Sequence, residues 1–185
     1  GSASAAIAAV GTALGSMVAK LTHGVRKFEA VQPQMQLAIP VLHELTGQLI
    51  PMIDADTSAF NEYMEGVRLP QTTAEEKELR NDSMQAGLKT AINVPLTTMR
   101  LGDRGWDSLC EVARYGNPAS SSDTLVGARA LETGIWGAYQ NVLINMVDIQ
   151  DLAYKEEILG EAQKIAGRAA EKCAEVLGIL NAVET

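Results

Sequence analysis

From Met35 the larger apolar residues return every three or four positions, through Ala38, Leu42, Leu45, Leu49 and Met52 to Ala59 and Tyr63. That is the period of an α-helix with one buried stripe. A run this long needs neighbouring helices to cover the stripe. No segment alternates apolar and polar residues as a half-buried strand does, and aromatic residues make up only 4% of the chain. A core drawn from Ala, Val, Leu, Ile and Met, within a 46% hydrophobic composition, favours close helix packing over sheets. The expected fold is all-α, an antiparallel up-and-down bundle of five to six helices in one domain spanning residues 1–185.

Turn and capping residues divide the chain. The first helix is expected from about Ala3 to Thr22, ending near Gly24, with Gly11-x-x-x-Gly15 allowing a close helix approach. The second runs from about Pro33 to Val67, kinked or interrupted at Pro40 and Pro51. Thr73-x-x-Glu76 is a capping box that opens a third helix, with Pro95 a kink. A short helix covers Trp106 to Arg114 and stops at Tyr115-Gly116-Asn117-Pro118. A fifth helix, capped by Ser121 or Ser122, reaches about Met146, and a last one spans roughly Leu152 to Val183.

The formal net charge of −8 argues against nucleic acid, whose binding needs Lys and Arg to replace condensed counterions. Residues 1–19 carry no charged side chain, yet Gly, Ala, Ser and Thr dominate them. Their larger apolar residues form one stripe, so no membrane span is expected. Cys110 and Cys173 are far apart and form no CxxC, which reads as reduced thiols in a cytoplasmic protein.

Two groups of polar residues stand out. Asp56 falls in the apolar register of the second helix, whereas Asp54 falls with Gly47, Ser58, Asn61 and Glu65 on its polar face. Burial disfavours the charged form of a carboxyl group, and an acid tuned towards neutral pH can accept and donate a proton in one turnover. Asp56 is therefore either a catalytic acid or a buried acid that bonds a neighbouring helix. Asp54 has a simpler account, since a helix restarting at Pro51 places it in the first turn, where negative charge favours the dipole. On the fifth helix Gly134, Gly137, Asn141, Asn145 and Asp148 share a face. The glycines leave a trough; the amides suit either a nitrogen-rich ring or the backbone of a helix packed into it. Arg26 and Lys27 follow the first helix and could hold a carboxylate-bearing ligand. His23 and His43 lack the ExxH pattern of di-iron bundles, and HExxH, P-loop, GxGxxG and GxSxG motifs are absent from the sequence.

Several blocks, SASAAIAAVGTALGSMV, LTHGVRKFE, LIPMIDADTSAFNEYM, RLPQTTAEEK, YGNPASSSD and ALETGIWGAYQNVLINMVDIQD, run in order along nearly the whole chain. Together they resemble the formimidoyltetrahydrofolate cyclodeaminase family. The family block opens on several glycines before the serine, here Gly1-Ser2. Related chains often carry Lys after the Leu-Pro where this one has Gln71.

The resemblance implies conversion of 5-formimidoyltetrahydrofolate to 5,10-methenyltetrahydrofolate and ammonia, with no metal or cofactor beyond the folate substrate. It implies a homodimer or higher homo-oligomer, a polyglutamated folate as substrate, and a formimidoyltransferase domain in the full-length protein. By the same resemblance Asp56 is the catalytic acid; for the reaction it implies, Ser2, Arg26, Lys27, Asp54, Asn141 and Asn145 are the residues expected around the substrate. The competing expectations are a methenyltetrahydrofolate cyclohydrolase on the same scaffold and a non-catalytic helical assembly module.

Overall fold

A computed structural model of the chain describes residues 1–183. Seven α-helices are found among them: α1 (Ser2–Thr22), α2 (Gln32–Leu49), α3 (Pro51–Arg68), α4 (Ala74–Asp103), α5 (Trp106–Tyr115), α6 (Ser121–Asn145) and α7 (Leu152–Val183). Short 3-10 turns at Arg26–Val31 and Pro118–Ser120 lead into α2 and α6. The all-α bundle expected from the periodicity is what forms. The division of the second helix is resolved at Ile50: its own backbone is helical, but Pro51 starts α3 as a separate segment. The chain continues in helix through Pro40 and through Pro95.

Local chemistry fixes the ends. Gly24, at φ 79°, takes the left-handed turn after α1. The Gln32 side chain then ties that turn together, its oxygen accepting from the Gly24 N–H at 2.6 Å and its nitrogen donating to the Phe28 carbonyl at 2.9 Å. The Thr73–Glu76 capping box forms as read. The cap of α6 differs from expectation: the helix begins at Ser121 after Ser120, and neither hydroxyl caps it. Asn117 organises the approach instead, accepting from the Ala119 N–H and donating its own N–H to Thr22 Oγ1 at 2.8 Å.

The apolar seam is fully buried along α2, where Met35, Ala38, Leu42, Leu45 and Leu49 are 0–2% exposed. Burial lessens along α3, where Ala59 is enclosed and Met52, Asp56 and Tyr63 are half-buried. Trp106 fills the centre with no exposed surface. Burial also raises the Cys110 thiol to about 11, and both cysteines are free and enclosed. By length and composition α1 could cross a membrane, but half of its apolar window is buried inside the bundle.

The α1–α6 contact positions everything that follows. These helices run antiparallel and touch where side chains are missing. A Cβ on Gly134 would stand 2.6 Å from the Ala8 nitrogen, one on Gly137 would stand 2.5 Å from Ser4 Oγ, and one on Gly11 would stand 2.6 Å from the Leu131 nitrogen. The glycine trough of α6 is therefore filled by α1. Gly134→Val should separate the helices and destabilise the fold by about 1–3 kcal/mol, as overpacked core sites do. A urea midpoint equal to wild type would refute this account of the contact.

Candidate active site around Asp56

With α1 seated on α6, its first turn lies beside α3 and the C-terminal half of α6. Asp56 stands at that junction. Its Oδ2 accepts from the Ser2 backbone N–H at 2.8 Å and lies 3.0 Å from Ser2 Oγ. Its Oδ1 receives a long bond, 3.5 Å, from Asn141 Nδ2. The Gly1 nitrogen is 3.5 Å from Oδ2, and a Cβ on Gly1 would collide with the carboxylate. The side chain is 24% exposed, so the fully enclosed apolar setting expected from its register is not what it occupies. Ser2, Asn141 and the Gly1 nitrogen make its surroundings a polar junction that solvent reaches.

Asp56 acts on structure at the same time. It lies at the positive end of α1, where backbone N–H groups have no partner within the helix, and it takes one of them. Ser2 contributes more than a backbone donor. Its hydroxyl has one proton and two neighbouring acceptors, the Ile53 carbonyl at 2.8 Å and Asp56 Oδ2 at 3.0 Å. Beside an ionised Asp56 the hydroxyl can donate to Oδ2. Beside a protonated Asp56 it can accept from Oδ2 and donate to Ile53. Both protonation states keep a complete set of hydrogen bonds without movement of heavy atoms.

Asn145 adjoins the site through Asn141. Its Nδ2 donates to the Ala91 carbonyl of α4 at 3.1 Å and to Asn141 Oδ1 at 3.3 Å. Both of its N–H groups are thus used inside the protein. What stays free of protein partners among the described residues is its Oδ1 and the second N–H of Asn141. The pair of amides read as a ligand edge is therefore partly an interhelical link. Asp148 does not join them, because α6 ends at Asn145 and the chain turns away.

The remaining expected residues lie elsewhere. Asp54 is exposed in the first turn of α3, where its charge favours the helix dipole. Arg26 and Lys27 are exposed beyond the far end of α1. The 21 residues of that helix separate them from Asp56 by about 30 Å. Within one chain they do not join the site. The sequence reading missed the Ile53 carbonyl, the Ala91 carbonyl and the tight fit of Gly1. Only Ala91 had a visible signal, since a proline four residues later withholds its helical donor.

Asp56→Ala would strip the first turn of α1 of its acceptor and should lower stability by about 0.5–2 kcal/mol, as loss of a helix cap does. Denaturant unfolding of the variant with an unchanged midpoint would show that the contact contributes nothing.

Comparison with known proteins places this chain in a lineage. The sequence profile of the Formiminotransferase-cyclodeaminase family matches residues 1–164. Formimidoyltransferase-cyclodeaminase of Gallus gallus is 43% identical over 97% of this chain, and that of Dictyostelium discoideum is 44% identical over 98%. The chain spans about a third of the length of these relatives, 33% in both cases. A methenyltetrahydrofolate cyclohydrolase of Methylorubrum extorquens is 35% identical over 91% of this chain and 81% of its own length. The crystal structure of a formiminotetrahydrofolate cyclodeaminase from Thermotoga maritima has the same fold, with a TM-score of 0.86 at 24% identity, covering 100% of this chain and 88% of that one. The chain, matched by that profile from the start of α1 into the first part of α7, belongs to the formiminotransferase-cyclodeaminase family.

Proposed function

We propose that this chain is a cyclodeaminase that converts 5-formimidoyltetrahydrofolate to 5,10-methenyltetrahydrofolate and ammonia, with Asp56 as its acid–base group. The observation that carries the reading is a solvent-reachable carboxyl group, held from both sides, whose serine neighbour satisfies it in either protonation state. The reaction calls for such a group. N10 of the folate attacks the formimidoyl carbon on N5, whose nitrogen is present as the amidinium. A C–N bond forms, the C=N π pair moves to nitrogen, and Asp56 takes the proton from N10. Asp56 then protonates the amino group of the tetrahedral intermediate. That group leaves as ammonia with the C–N bonding pair, and the methenyl bridge retains the positive charge.

Attack is intramolecular, so the protein chiefly selects the conformation that brings N10 to the carbon. Proton transfer through one positioned carboxyl group contributes roughly 10²–10⁴-fold. Every step runs through Asp56 and the substrate's own nitrogens, without a cofactor. The free N–H of Asn141 is suited to an acceptor on the pterin, and Asn145 Oδ1 to an N–H of the pterin or the amidinium. Arg26 and Lys27 lie too far along α1 to meet the first glutamate of a folate whose pterin is at Asp56. In one chain they are suited to a longer polyglutamate tail only.

The cyclohydrolase relative favours a second reading, in which the same site hydrolyses the methenyl bridge to the formyl derivative. The two reactions share the folate and differ in the leaving group. Absorbance of the methenyl product, recorded with ammonia release, distinguishes them. Wild type should form methenyl product with one ammonia per turnover, and Asp56→Asn should be slower by about 10²–10⁴-fold. Wild-type turnover in Asp56→Asn would sink the assignment of Asp56. Methenyl hydrolysis outpacing ammonia release would favour the second reading.

The reading includes self-association. Ile7, Val10, Met17 and Leu21 on α1, with Val126 and Trp136 on α6, leave a face on which each is 37–57% exposed. Contiguous apolar surface of this kind marks association sites, and a second copy of this chain is the proposed partner. Wild type should sediment as a dimer or larger, and Val10→Glu should shift it towards monomer. Monomeric wild type at micromolar concentration would overturn this part.

A further inference from the structure

Ala91 and Pro95 lie one turn apart on α4, four residues from each other, and Pro95 is buried. Proline has no N–H, so the Ala91 carbonyl lacks the donor that would otherwise close that helical turn. Asn145 of α6 supplies the replacement, its Nδ2 standing 3.1 Å from the Ala91 oxygen. A carbonyl only accepts, so this contact determines which end of the Asn145 amide points at α4: the nitrogen. The second N–H of the same nitrogen lies 3.3 Å from Asn141, and it needs an acceptor there. Asn141 must present Oδ1 to it, which turns Asn141 Nδ2 towards Asp56 Oδ1, at 3.5 Å.

We infer that Asn145 is a positioning residue for the reaction at Asp56, and that its orientation is fixed by the carbonyl that Pro95 leaves free. The inference rests on the cyclodeaminase reading for its consequence in catalysis, though the orientation stands apart from it. The orientation of an asparagine amide is set by its surroundings, since either end fits the same space. Without the Asn145 donor, Asn141 can turn its oxygen towards Asp56 and set two acceptors against one another. The carboxylate would then lose its α6 partner and be held from the first turn of α1 alone. With the donor in place, Asp56 is held from α1 and from α6. Its Oδ2 faces the serine hydroxyl and its Oδ1 faces an N–H.

A purely structural role predicts something different. If Asn145 serves only to satisfy Ala91, then a donor at position 95 makes it dispensable. Pro95→Ala provides that donor within the helix, and because a carbonyl oxygen has two lone pairs it still leaves Ala91 able to accept from, and so orient, Asn145. Asn145→Ala alone should lower Tm by about 3–10 °C through the unsatisfied carbonyl. In the Pro95→Ala background, Asn145→Ala should leave Tm close to that of Pro95→Ala. Against that same background kcat for methenyl formation should still fall by about 10- to 100-fold, the scale of a misplaced catalytic group, with KM within about threefold. Recovery of kcat together with Tm would overturn the positioning role.

A measurement on the wild-type protein covers the case in which the double variant does not fold. In NMR spectra with assigned side-chain amides, the Asn141 NH2 protons should show stronger cross-relaxation to the Asp56 side chain than to the Asn145 NH2 protons. The reverse pattern would also overturn the inference. If wild type forms no methenyl product, the cyclodeaminase reading fails, and the NMR result still decides the orientation.

Discussion

The close approach of α1 to α6 is the constraint on which the rest of the structure depends. It exists because Gly11, Gly134 and Gly137 carry no side chains, so that the backbones of the two helices meet where a Cβ would collide. Aligned in this way, the first turn of α1 is brought opposite Asn141, and the space between them is the width of one carboxyl group. Asp56 fills it from α3. A wider helix spacing would leave the same residues on the same helices but out of reach of one another.

This arrangement joins stability to chemistry in a single side chain. Asp56 satisfies a backbone donor at the positive end of α1, as a capping residue does, while remaining 24% exposed. A carboxylate used only as a cap has no need of a neighbour that adapts to its protonation. Ser2 is such a neighbour, because the Ile53 carbonyl gives its hydroxyl a second place to donate. The asparagines of α6 extend the support into α4, where a proline has left a carbonyl open. Three helices thus hold one carboxyl group, and none of them does so through a charged side chain.

The surrounding surface is consistent with this division of labour. Most ion pairs lie away from the site, on α4, α5 and α7, where Arg100 meets Glu161 in two bonds of 2.6 Å and Arg114 meets Glu175 at 2.7 Å. The members of these two pairs are 36–48% exposed, which limits each pair to a small contribution under solvent screening. The exposed apolar residues described above lie on α1 and α6, two of the helices that build the site.

The sequence by itself determined the helical class, the seam along α2, the Thr73–Glu76 cap and the turn at Gly24, because each follows from residue spacing or from a local backbone preference. It also separated Asp56 from Asp54 by register. It could not say whether the glycines of α6 make room for a ligand or for a helix. That choice depends on which helix arrives, and α1 comes from more than a hundred residues away in the chain. Only the tertiary structure decided that α1 fills the trough. It also decided that Arg26 and Lys27 stand at the wrong end of it, and that Asn145 answers to Pro95. Helical periods report which side of a helix is buried; the partner, its direction and its spacing are set by packing between distant segments.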